Sequence, residues 1–505
     1  MATAKKDVIL FYPEGRRPGN FPHQTGTAYT VSLPLSLLPL AHVLQQRGYN
    51  PIIVDARIQD YRKVDLKDAL CVGISSMSGV QLLNALDIAQ HIRHERGDLP
   101  IIWGGIHPTL LPEQTIQHEL VDIVVQGEGE VTLVELLSHL EEGAGPEGVA
   151  GVVYKEDGKI INNGRRGFMD LNTLGPLPYH LLPMPEYKDD DFTLNTSRGC
   201  PHTCAFCYNL AFNKRRWRFQ KAELVLEQLE AIFHQFHPQA FIFYEDDFFV
   251  SKQRVREVCQ GMISRGLTLP WQSTCRVDYA SHYEPAFLEL MRQSGCRRLT
   301  LGGESGSPEL LARISKGTSV DQMIETARRC KTVDIVPIFS FMVGFPFETE
   351  EDIQQTFNAI DGILGANEQA QINGIFIYTP YPGTPLFHDA VANNLRVPVT
   401  LEEWSHFQFA NIANLPWIPR ERRSLLNTIY RLSRFPFYQQ NGLSYPPLLA
   451  LEGDAPFLDT LPRHAKRLAY RLMQFSARVR WQWKFFAFPW EWNMWTWYAE
   501  RAHIW

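Results

Sequence analysis

Three cysteines, Cys200, Cys204 and Cys207, set the strongest limit on what this chain can fold into. Their Cys-x3-Cys-x2-Cys spacing lies in a loop with glycine and proline, so three thiolates can surround one small object. A structural zinc site usually has four ligands in two pairs, and no second pair follows here. Iron–sulfur clusters normally take four thiolates, so a cluster on this loop would have one iron without a protein ligand. The alternative is three cysteines that pack as small apolar side chains.

The residue before the last cysteine extends this pattern. It is aromatic, and the segment Cys200-x3-Cys204-x-Phe206-Cys207 resembles the signature of radical S-adenosylmethionine (SAM) enzymes. In that family the three cysteines hold a four-iron, four-sulfur (4Fe-4S) cluster, and the open iron chelates the amino and carboxylate groups of SAM. The reduced cluster then cleaves SAM to methionine and a 5'-deoxyadenosyl radical. The resemblance implies that Cys200, Cys204 and Cys207 bind this cluster and that Phe206 contacts SAM.

Length and composition describe a folded protein of several domains. A chain of 505 residues exceeds one ordinary core, and 45% hydrophobic with 21% charged residues is typical of globular proteins. The formal net charge of -6 gives no argument for nucleic acid, so we expect no such partner. We find no pattern of a signal peptide or a spanning helix. The other five cysteines are scattered singly, which favours a reducing cytoplasm.

Residues 1–145 predict a Rossmann-like (flavodoxin-like) domain, because short apolar runs alternate with amphipathic stretches. The predicted strands are 7–12, 51–55, 69–75, 99–103 and 121–126. The predicted helices are 34–47, 80–96, 112–119 and 131–141. Ligands of such open parallel sheets bind at the carboxyl ends of the strands. Loops rich in small residues follow three of the strands, at 73–79, 104–109 and 126–130.

Taken together, these loops resemble the cobalamin-binding domain of B12-dependent radical SAM enzymes, which usually carries Gly-Gly-x-His-Pro followed by Gly-Glu-Gly-Glu. Each loop alone is equally typical of an ordinary turn. The resemblance implies cobalamin contacts at Ser75, Ser76, Gly104, Gly105, Gly127, Glu128 and Gly129. Many other B12 modules have a cobalt-binding histidine in the loop after the first strand. The corresponding loop here, residues 13–20, has none, so we expect no histidine ligand from it.

Residues 146–190 predict a hairpin at Asp157-Gly158 and a proline-bearing connector. Residues 191–395 predict a partial (β/α)6 barrel of the TIM type, open on one side, because strand and helix patterns alternate six times. The predicted strands are 192–196, 240–244, 270–275, 298–302, 335–342 and 372–378. Barrels of this kind place their chemistry at the carboxyl ends of the strands.

Charged residues follow the second and third of these strands. Glu245 and Asp246 belong to an acidic triplet that makes little structural sense unless a cation neutralises part of it. By resemblance they accept hydrogen bonds from the ammonium group of SAM; the alternative is a helix N-cap with an acidic first turn. Arg276 follows the third strand, and a guanidinium can grip a carboxylate in a bidentate fork. By resemblance that carboxylate belongs to SAM.

Glycine-bearing segments follow the fourth and fifth strands. Gly303 and Glu304 resemble the ribose-binding element of the family, because glycine lets the backbone approach a ligand and a carboxylate can bind ribose hydroxyls. Gly344 lies in a segment that resembles the adenine-contacting one. With the acidic triplet and Arg276, these residues form the predicted SAM site.

Residues 396–505 predict a mainly helical region in which the resemblance fades. Seven of the twelve tryptophans lie between Trp481 and Trp505, after a basic amphipathic helix. Such a segment can contact a membrane surface or an apolar substrate. Alternatively it is an aromatic cap packed on the barrel mouth.

The resemblance implies a cobalamin- and SAM-dependent radical enzyme, and we favour a methyltransferase that acts on an unactivated carbon of a bulky substrate, which the aromatic C-terminus suggests is hydrophobic. An oxidative, ring-forming enzyme similar to the anaerobic tetrapyrrole cyclases is the first alternative. A non-catalytic corrinoid or redox sensor is the second. We expect a small-molecule substrate and a one-electron donor such as flavodoxin or ferredoxin. Hydrogen-atom abstraction requires no general base, so we assign none.

Overall fold

The computed structural model describes residues 6–15, 33–187, 191–407, 415–433, 472 and 475–486. Two sequence predictions concern residues that lie mostly outside these described ranges. The loop after the first strand is described only to residue 15, and the tryptophan-rich segment only to residue 486. Within the described residues no helix is long and apolar enough to cross a membrane.

The first sheet contains all five strands that the sequence predicts for residues 1–145. Its strands are β1 Asp7–Tyr12, β2 Asn50–Asp55, β3 Ala69–Ser75, β4 Ile101–Gly104, β5 Ile123–Val125, β6 Val152–Glu156 and β7 Lys159–Asn162. Their order is β2-β1-β3-β4-β5-β6-β7. The helices are α1 Leu38–Gln46, α2 Gln81–Glu95, α3 Ile106–Leu110, α4 Pro112–Gln117 and α5 Gly129–Glu141. In β1, Val8 and Leu10 join one hydrophobic core and Ile9 joins the other, as expected of a strand covered on both faces.

The hairpin β6–β7 corrects one expectation. We assigned it to the connector at 146–190, but β6 pairs antiparallel with β5 and extends the first sheet. The Gln126 amide donates to the carbonyl oxygen of Gly151 at 2.8 Å, which continues this pairing. The reason is that β5 would otherwise expose a row of unpaired backbone groups. Residues 165–187 then run on without a long helix or strand.

From residue 191 onward the chain forms a small ribbon and a second sheet. The strands are β8 Asp191–Leu194, β9 Ser197–Arg198, β10 Arg218–Phe219, β11 Ala240–Phe243, β12 Trp271–Cys275, β13 Cys296–Glu304, β14 Val336–Val343 and β15 Gln371–Ile377. The second sheet is parallel with order β15-β14-β13-β12-β11-β8, so β8 and β15 are its edges. This is the open six-stranded barrel that the sequence predicts. The ribbon is β9 paired antiparallel with β10.

Helices connect these strands along the chain. They are α6 Asn209–Phe212, α7 Ala222–Phe236, α8 Lys252–Ser264, α9 Val277–Ala280, α10 Pro285–Gln293, α11 Pro308–Arg313, α12 Val320–Thr332 and α13 Glu350–Ala366. Several begin where the sequence supplies an N-cap. Ser251 accepts a hydrogen bond from the Arg254 amide, and Ser319 and Thr349 each form a capping box.

The chain after the barrel packs on both sheets. Its helices are α14 Pro385–Ala392, α15 Leu401–Ser405 and α16 Arg420–Leu432. In α15, buried Trp404 donates from Nε1 to Oε1 of Gln114 at 2.6 Å, which fixes it to the first domain. Beyond α16, Ser433 Oγ accepts from the Ile375 amide in β15. Trp481 donates to Asp361 at 2.9 Å, so the described start of the tryptophan-rich segment lies against helix α13.

Candidate functional site

The carboxyl ends of both sheets line one cavity of about 410 Å³. From the first domain it receives every residue that we predicted to contact cobalamin: Ser75, Ser76, Gly104, Gly105, Gly127, Glu128 and Gly129. From the barrel side it receives Thr196, Arg198, Tyr208, Tyr244 and Asp246. The three loops therefore meet at one place, as the parallel sheet predicts, and they meet there beside the cysteine loop.

The first-domain wall of the cavity is shaped by close backbone packing. Gly105 has a φ of +97°, and a Cβ atom there would lie 2.6 Å from the carbonyl oxygen and 2.8 Å from the amide nitrogen of Ser76. Ser76 Oγ is buried and has no hydrogen-bond partner among the described residues, so it is available to a ligand. Leucines supply the apolar part of the wall: Leu33, Leu37, Leu40, Leu171, Leu174 and Leu177. A large ligand with an apolar face and a polar edge fits these walls.

Glu128 lines the cavity, but its carboxylate is engaged elsewhere. Oε1 accepts hydrogen bonds from Arg198 at 2.9 Å and from Arg218 at 2.6 Å, and Oε2 accepts from the Met169 amide at 3.1 Å. Glu130, two residues on, accepts from Arg198 at 2.6 Å. A direct cobalamin contact of Glu128 stays a prediction, and the contacts present join its loop to the chain just before Cys200.

The ribbon β9–β10 frames the cysteine loop. Gly199 turns the chain with a φ of +86°, and a Cβ atom there would overlap the carbonyl oxygen of Arg216, so only glycine fits. Cys204 is buried, and Cys200 and Cys207 are half-buried. Burial raises the pKa of the Cys200 thiol to about 12 and that of Cys207 to about 11. Ionising these thiols therefore needs a strongly positive centre, and a coordinated metal deprotonates a thiol outright.

Arg276 lies against Cys204, and together with Lys316 it brings three predicted SAM-site residues together. Nη1 of Arg276 lies 3.6 Å from Cys204 Sγ. The same guanidinium donates to the backbone carbonyl of Lys316 at 2.7 Å, and Lys316 Nζ donates to Glu304 Oε1 at 2.6 Å. Lys316 Nζ also lies 6.0 Å from the centre of the Phe206 ring. Lys316, which the sequence analysis did not assign, is thus the link between Phe206, Arg276 and Glu304.

Arg276 and Glu304 already have protein partners. Arg276 Nε donates to Asp278 at 2.8 Å, so one edge of its fork is taken by a neighbouring carboxylate. Glu304 has a φ of +64°, which is uncommon outside glycine and marks a backbone held by its surroundings. Binding of SAM by either side chain stays a prediction that requires these ion pairs to be shared or opened.

The acidic triplet points in three directions. Glu245 is buried and accepts from the Thr196 amide at 2.7 Å and from the hydroxyls of Thr196 and Ser197, so it fixes the base of the cysteine loop. Asp246 accepts from the Gly199 amide and the Tyr208 hydroxyl, both at 2.8 Å. The helix that follows has no acidic residue in its first turn, which excludes the capping alternative. Sequence reasoning could not foresee that neighbouring backbone and hydroxyl donors separate these charges.

Asp247, the third member, faces the first cysteine. Its Oδ2 lies 3.7 Å from Cys200 Sγ and 3.8 Å from Nε2 of His202. Burial raises the pKa of Asp247 to about 7, although Arg276 opposes this shift. His202 also bonds the hydroxyl of Tyr279. We did not assign Asp247, His202 or Tyr279 from the sequence; the position of His202 inside the cysteine motif was the one available signal.

Of the predicted SAM residues only Asp246 lines this cavity; Phe206, Glu245, Arg276, Gly303, Glu304 and Gly344 do not. A Cβ atom on Gly303 would lie 2.9 Å from the Phe341 ring, so glycine is required there by packing. The Gly344 amide donates to Glu348 at 2.6 Å, and its carbonyl accepts from Trp417 Nε1 at 2.9 Å. Neither glycine lines the shared cavity, and their contact with SAM stays a prediction.

Comparison with known proteins agrees with this arrangement of two linked sites. The model of the radical SAM superfamily matches residues 194–360, and that of the B12 binding domain matches residues 25–137. An uncharacterized methyltransferase of Pyrococcus horikoshii is 31% identical over 386 residues, which cover 74% of this chain and 82% of the relative. The fold and site define a radical enzyme with a second, corrinoid-binding domain. The chain belongs to the family of cobalamin-binding radical SAM enzymes.

Two further likenesses show how widely the architecture is shared. The anaerobic magnesium-protoporphyrin IX monomethyl ester cyclase of Rubrivivax gelatinosus is 25% identical over 427 residues, covering 81% of this chain and 74% of the relative. The structure of the cobalamin-dependent SAM radical enzyme OxsB, with aqua-cobalamin and SAM bound, superposes with a TM-score of 0.71 at 17% identity. That match covers 95% of this chain and 72% of OxsB, and it shows a common fold.

Family membership implies a 4Fe-4S cluster, SAM and cobalamin as cofactors. The residues present fit all three. Three free thiols lie on one loop, one of them 3.6 Å from Arg276, and the adjacent glycine-lined wall has a buried hydroxyl, Ser76 Oγ, without a partner among the described residues.

Proposed function

We propose that the protein is a cobalamin- and SAM-dependent methyltransferase that acts on an unactivated carbon of a bulky small molecule. The observation that carries this proposal is the shared cavity. Its wall includes the first-domain loops and also Asp246, which bonds the amide of Gly199 directly before Cys200. Groups held by the two domains would therefore lie against one cavity, as a transfer between them requires.

The chain's own residues would prepare the site. Cys200, Cys204 and Cys207 would hold the cluster, and Arg276 would place a fixed positive charge beside Cys204. Lys316 would keep the Glu304 side chain oriented, because it donates to the carboxylate from a buried position. When bound, the cofactors supply hydrogen-atom removal and a methyl group.

The apolar wall suits radical chemistry that must be kept from water. Leucines from the first domain and the connector line the cavity, and such a surface excludes water from reactive species. A tetrapyrrole or terpenoid substrate is inferred from the aromatic C-terminal sequence, since cobalamin would occupy this wall. Peripheral membrane contact of the tryptophan-rich segment stays a prediction, because residues 487–505 lie outside the described part of the chain.

We also infer a one-electron donor such as flavodoxin or ferredoxin, because a 4Fe-4S cluster must be reduced before SAM is cleaved. A cytoplasmic location agrees with eight free cysteines, since this compartment keeps thiols reduced.

Labelled SAM tests the reaction. Purified, anaerobically reconstituted protein would be incubated with dithionite, trideuteromethyl SAM and a panel of tetrapyrroles and terpenoids. We expect 5'-deoxyadenosine and a product in which a trideuteromethyl group replaces hydrogen. A product without label but with a new ring would favour the cyclase alternative, which the similarity to the Rubrivivax enzyme supports. No 5'-deoxyadenosine, with or without substrate, would favour the sensor.

A further inference from the structure

A cluster of four charged side chains joins the first domain to the cysteine loop. We call Glu128, Glu130, Arg198 and Arg218 the bridging cluster. Its ion pairs measure 2.9 Å from Arg198 to Glu128, 2.6 Å from Arg198 to Glu130 and 2.6 Å from Arg218 to Glu128. The two carboxylate side chains are 9% and 4% exposed, so these pairs are shielded from solvent.

The two arginines lie opposite each other in the ribbon. Arg198 is the register partner of Arg218 across the antiparallel pair β9–β10. Like charges placed directly opposite repel and destabilise a two-stranded ribbon. Glu128 accepts a hydrogen bond from each of them through the same oxygen atom, Oε1. The ribbon that frames the cysteine loop therefore depends on a carboxylate from the other domain.

The charges of the bridging cluster balance. Burial opposes ionisation of Glu128, but Arg198 and Arg218 outweigh it and lower the pKa of this carboxyl. Buried ion pairs add little net stability, but removing one partner is costly because the other charge is left uncompensated. Such a cluster is better suited to fixing the relative position of two domains than to raising the free energy of unfolding.

The bridging cluster lies between the cobalamin cavity and the cysteine loop. Glu128 and Glu130 flank Gly129 in a loop that lines the cavity, and Arg198 lies two residues before Cys200. A second contact runs the same way: Arg165, from the connector, donates to the carbonyls of Ala211 and Phe212 at the end of α6, just beyond the cysteine loop. The cysteine loop is thus held on both sides by groups that belong to, or follow directly from, the first sheet.

We propose that Glu128 is a positioning residue that sets the separation and orientation of the cysteine loop relative to the cobalamin cavity. Its carboxylate acts on Arg198 and Arg218, and cobalamin is held by other groups of the cavity. This inference deepens the proposed function, on which it rests for the presence of both cofactors, but it requires no particular substrate or product.

The test compares Glu128→Gln with Glu141→Gln. Glu141 forms an ion pair with Lys6 at the far end of α5 and serves as the matched control. Protein loaded with cobalamin and cluster, without SAM or substrate, would be assayed for cobalamin affinity by optical titration and for iron content. EPR would measure the dipolar coupling between cob(II)alamin and the reduced cluster. Methyl transfer is not measured, so failure of this proposal is distinguishable from failure of the proposed function.

We expect Glu128→Gln to bind cobalamin within about threefold of the wild type and to hold the same iron, while its distribution of couplings broadens. Glu141→Gln should match the wild type in all three measurements. An unchanged distribution of dipolar couplings would overturn the proposal, and a loss of cobalamin affinity by about tenfold or more in the same variant would make Glu128 a direct contact.

A second variant guards against a general loss of folding. In Glu128→Gln/Arg218→Gln the repulsion between Arg198 and Arg218 is removed. The distribution of dipolar couplings should therefore be narrower than in Glu128→Gln alone. If the distribution of dipolar couplings in the double variant is no narrower than in Glu128→Gln, Glu128 does not act through the arginines and the proposal is wrong. Should Glu128→Gln fail to fold, the milder Glu130→Gln, which loses its bond to Arg198 alone, should broaden the distribution of dipolar couplings relative to the wild type; a distribution equal to that of the wild type would then overturn the proposal.

Discussion

The guanidinium of Arg276 lies 3.6 Å from the sulfur of Cys204, measured from Nη1 to Sγ. Asp278 and the backbone carbonyl of Lys316 hold it there. With Cys204 as a proposed cluster ligand, a fixed cation at this distance would favour the addition of an electron to the cluster. This contact therefore has a consequence for the cluster that does not depend on the substrate.

Replacing Arg276 with Gln should lower the reduction potential of the cluster. Loss of one positive charge at this distance should shift the potential on the order of tens of millivolts toward negative values. A redox titration followed by EPR would measure it. Arg276→Lys, which keeps the charge, should shift less. Equal potentials in the wild type and Arg276→Gln would show that this charge does not act on the cluster.

Lys316 gives a stability prediction. Burial opposes its charge, but the pairing with Glu304 prevails and raises the pKa of Lys316. Lys316→Gln would leave the Glu304 carboxylate buried without its cation, which should lower the free energy of unfolding by about 3–5 kcal/mol. Urea denaturation of the cofactor-free protein would measure this change.

Lys331 provides the control for Lys316. It pairs with Glu368 at 2.5 Å on the surface, so Lys331→Gln should change the free energy of unfolding by less than about 1 kcal/mol. A similar loss from both substitutions would contradict the importance that we give to the buried pair.

Gly105 gives a prediction for the cobalamin cavity. A methyl group there would collide with the Ser76 backbone at 2.6 Å, next to the Ser76 hydroxyl that has no partner among the described residues. Gly105→Ala should therefore weaken cobalamin binding by about tenfold or more, that is by about 1.4 kcal/mol or more, in an optical titration. Gly143 also has a positive φ, of +71°, but nothing lies within 4 Å of its Cβ position, so Gly143→Ala tests backbone strain alone. Cobalamin binding that is equally weak in both variants would mean that strain, not the cavity wall, is responsible.

The sequence predicts the two sheets well because their strands are apolar runs bounded by turns, and because parallel strands bring their carboxyl ends to one edge. That is why the sequence alone places Ser76, Gly105 and Gly127 together. The ion pairs could not be foreseen. Glu128 and Arg198 are separated by 70 residues, and nothing local in either segment indicates its partner.

The same limit explains the differing roles within the acidic triplet. Periodicity places Glu245 at a strand end, but its burial under Thr196 and Ser197 depends on how the cysteine loop folds back. The hairpin β6–β7 is recognisable from Asp157-Gly158, but its pairing with β5 depends on which sheet edge is free. Trp481 packs on helix α13, a contact that composition could not specify.

We propose that Cys200, Cys204 and Cys207 hold the 4Fe-4S cluster that cleaves SAM, and the other inferences depend on this assignment. Iron content and 5'-deoxyadenosine formation would be measured in Cys200→Ala, Cys204→Ala and Cys207→Ala, with Cys259→Ala as a control. Cys259 is a buried cysteine of helix α8 outside the loop. The account predicts that each loop variant loses most of its iron and forms no 5'-deoxyadenosine, while Cys259→Ala keeps both. Wild-type iron content and SAM cleavage in any one of the three loop variants would contradict it.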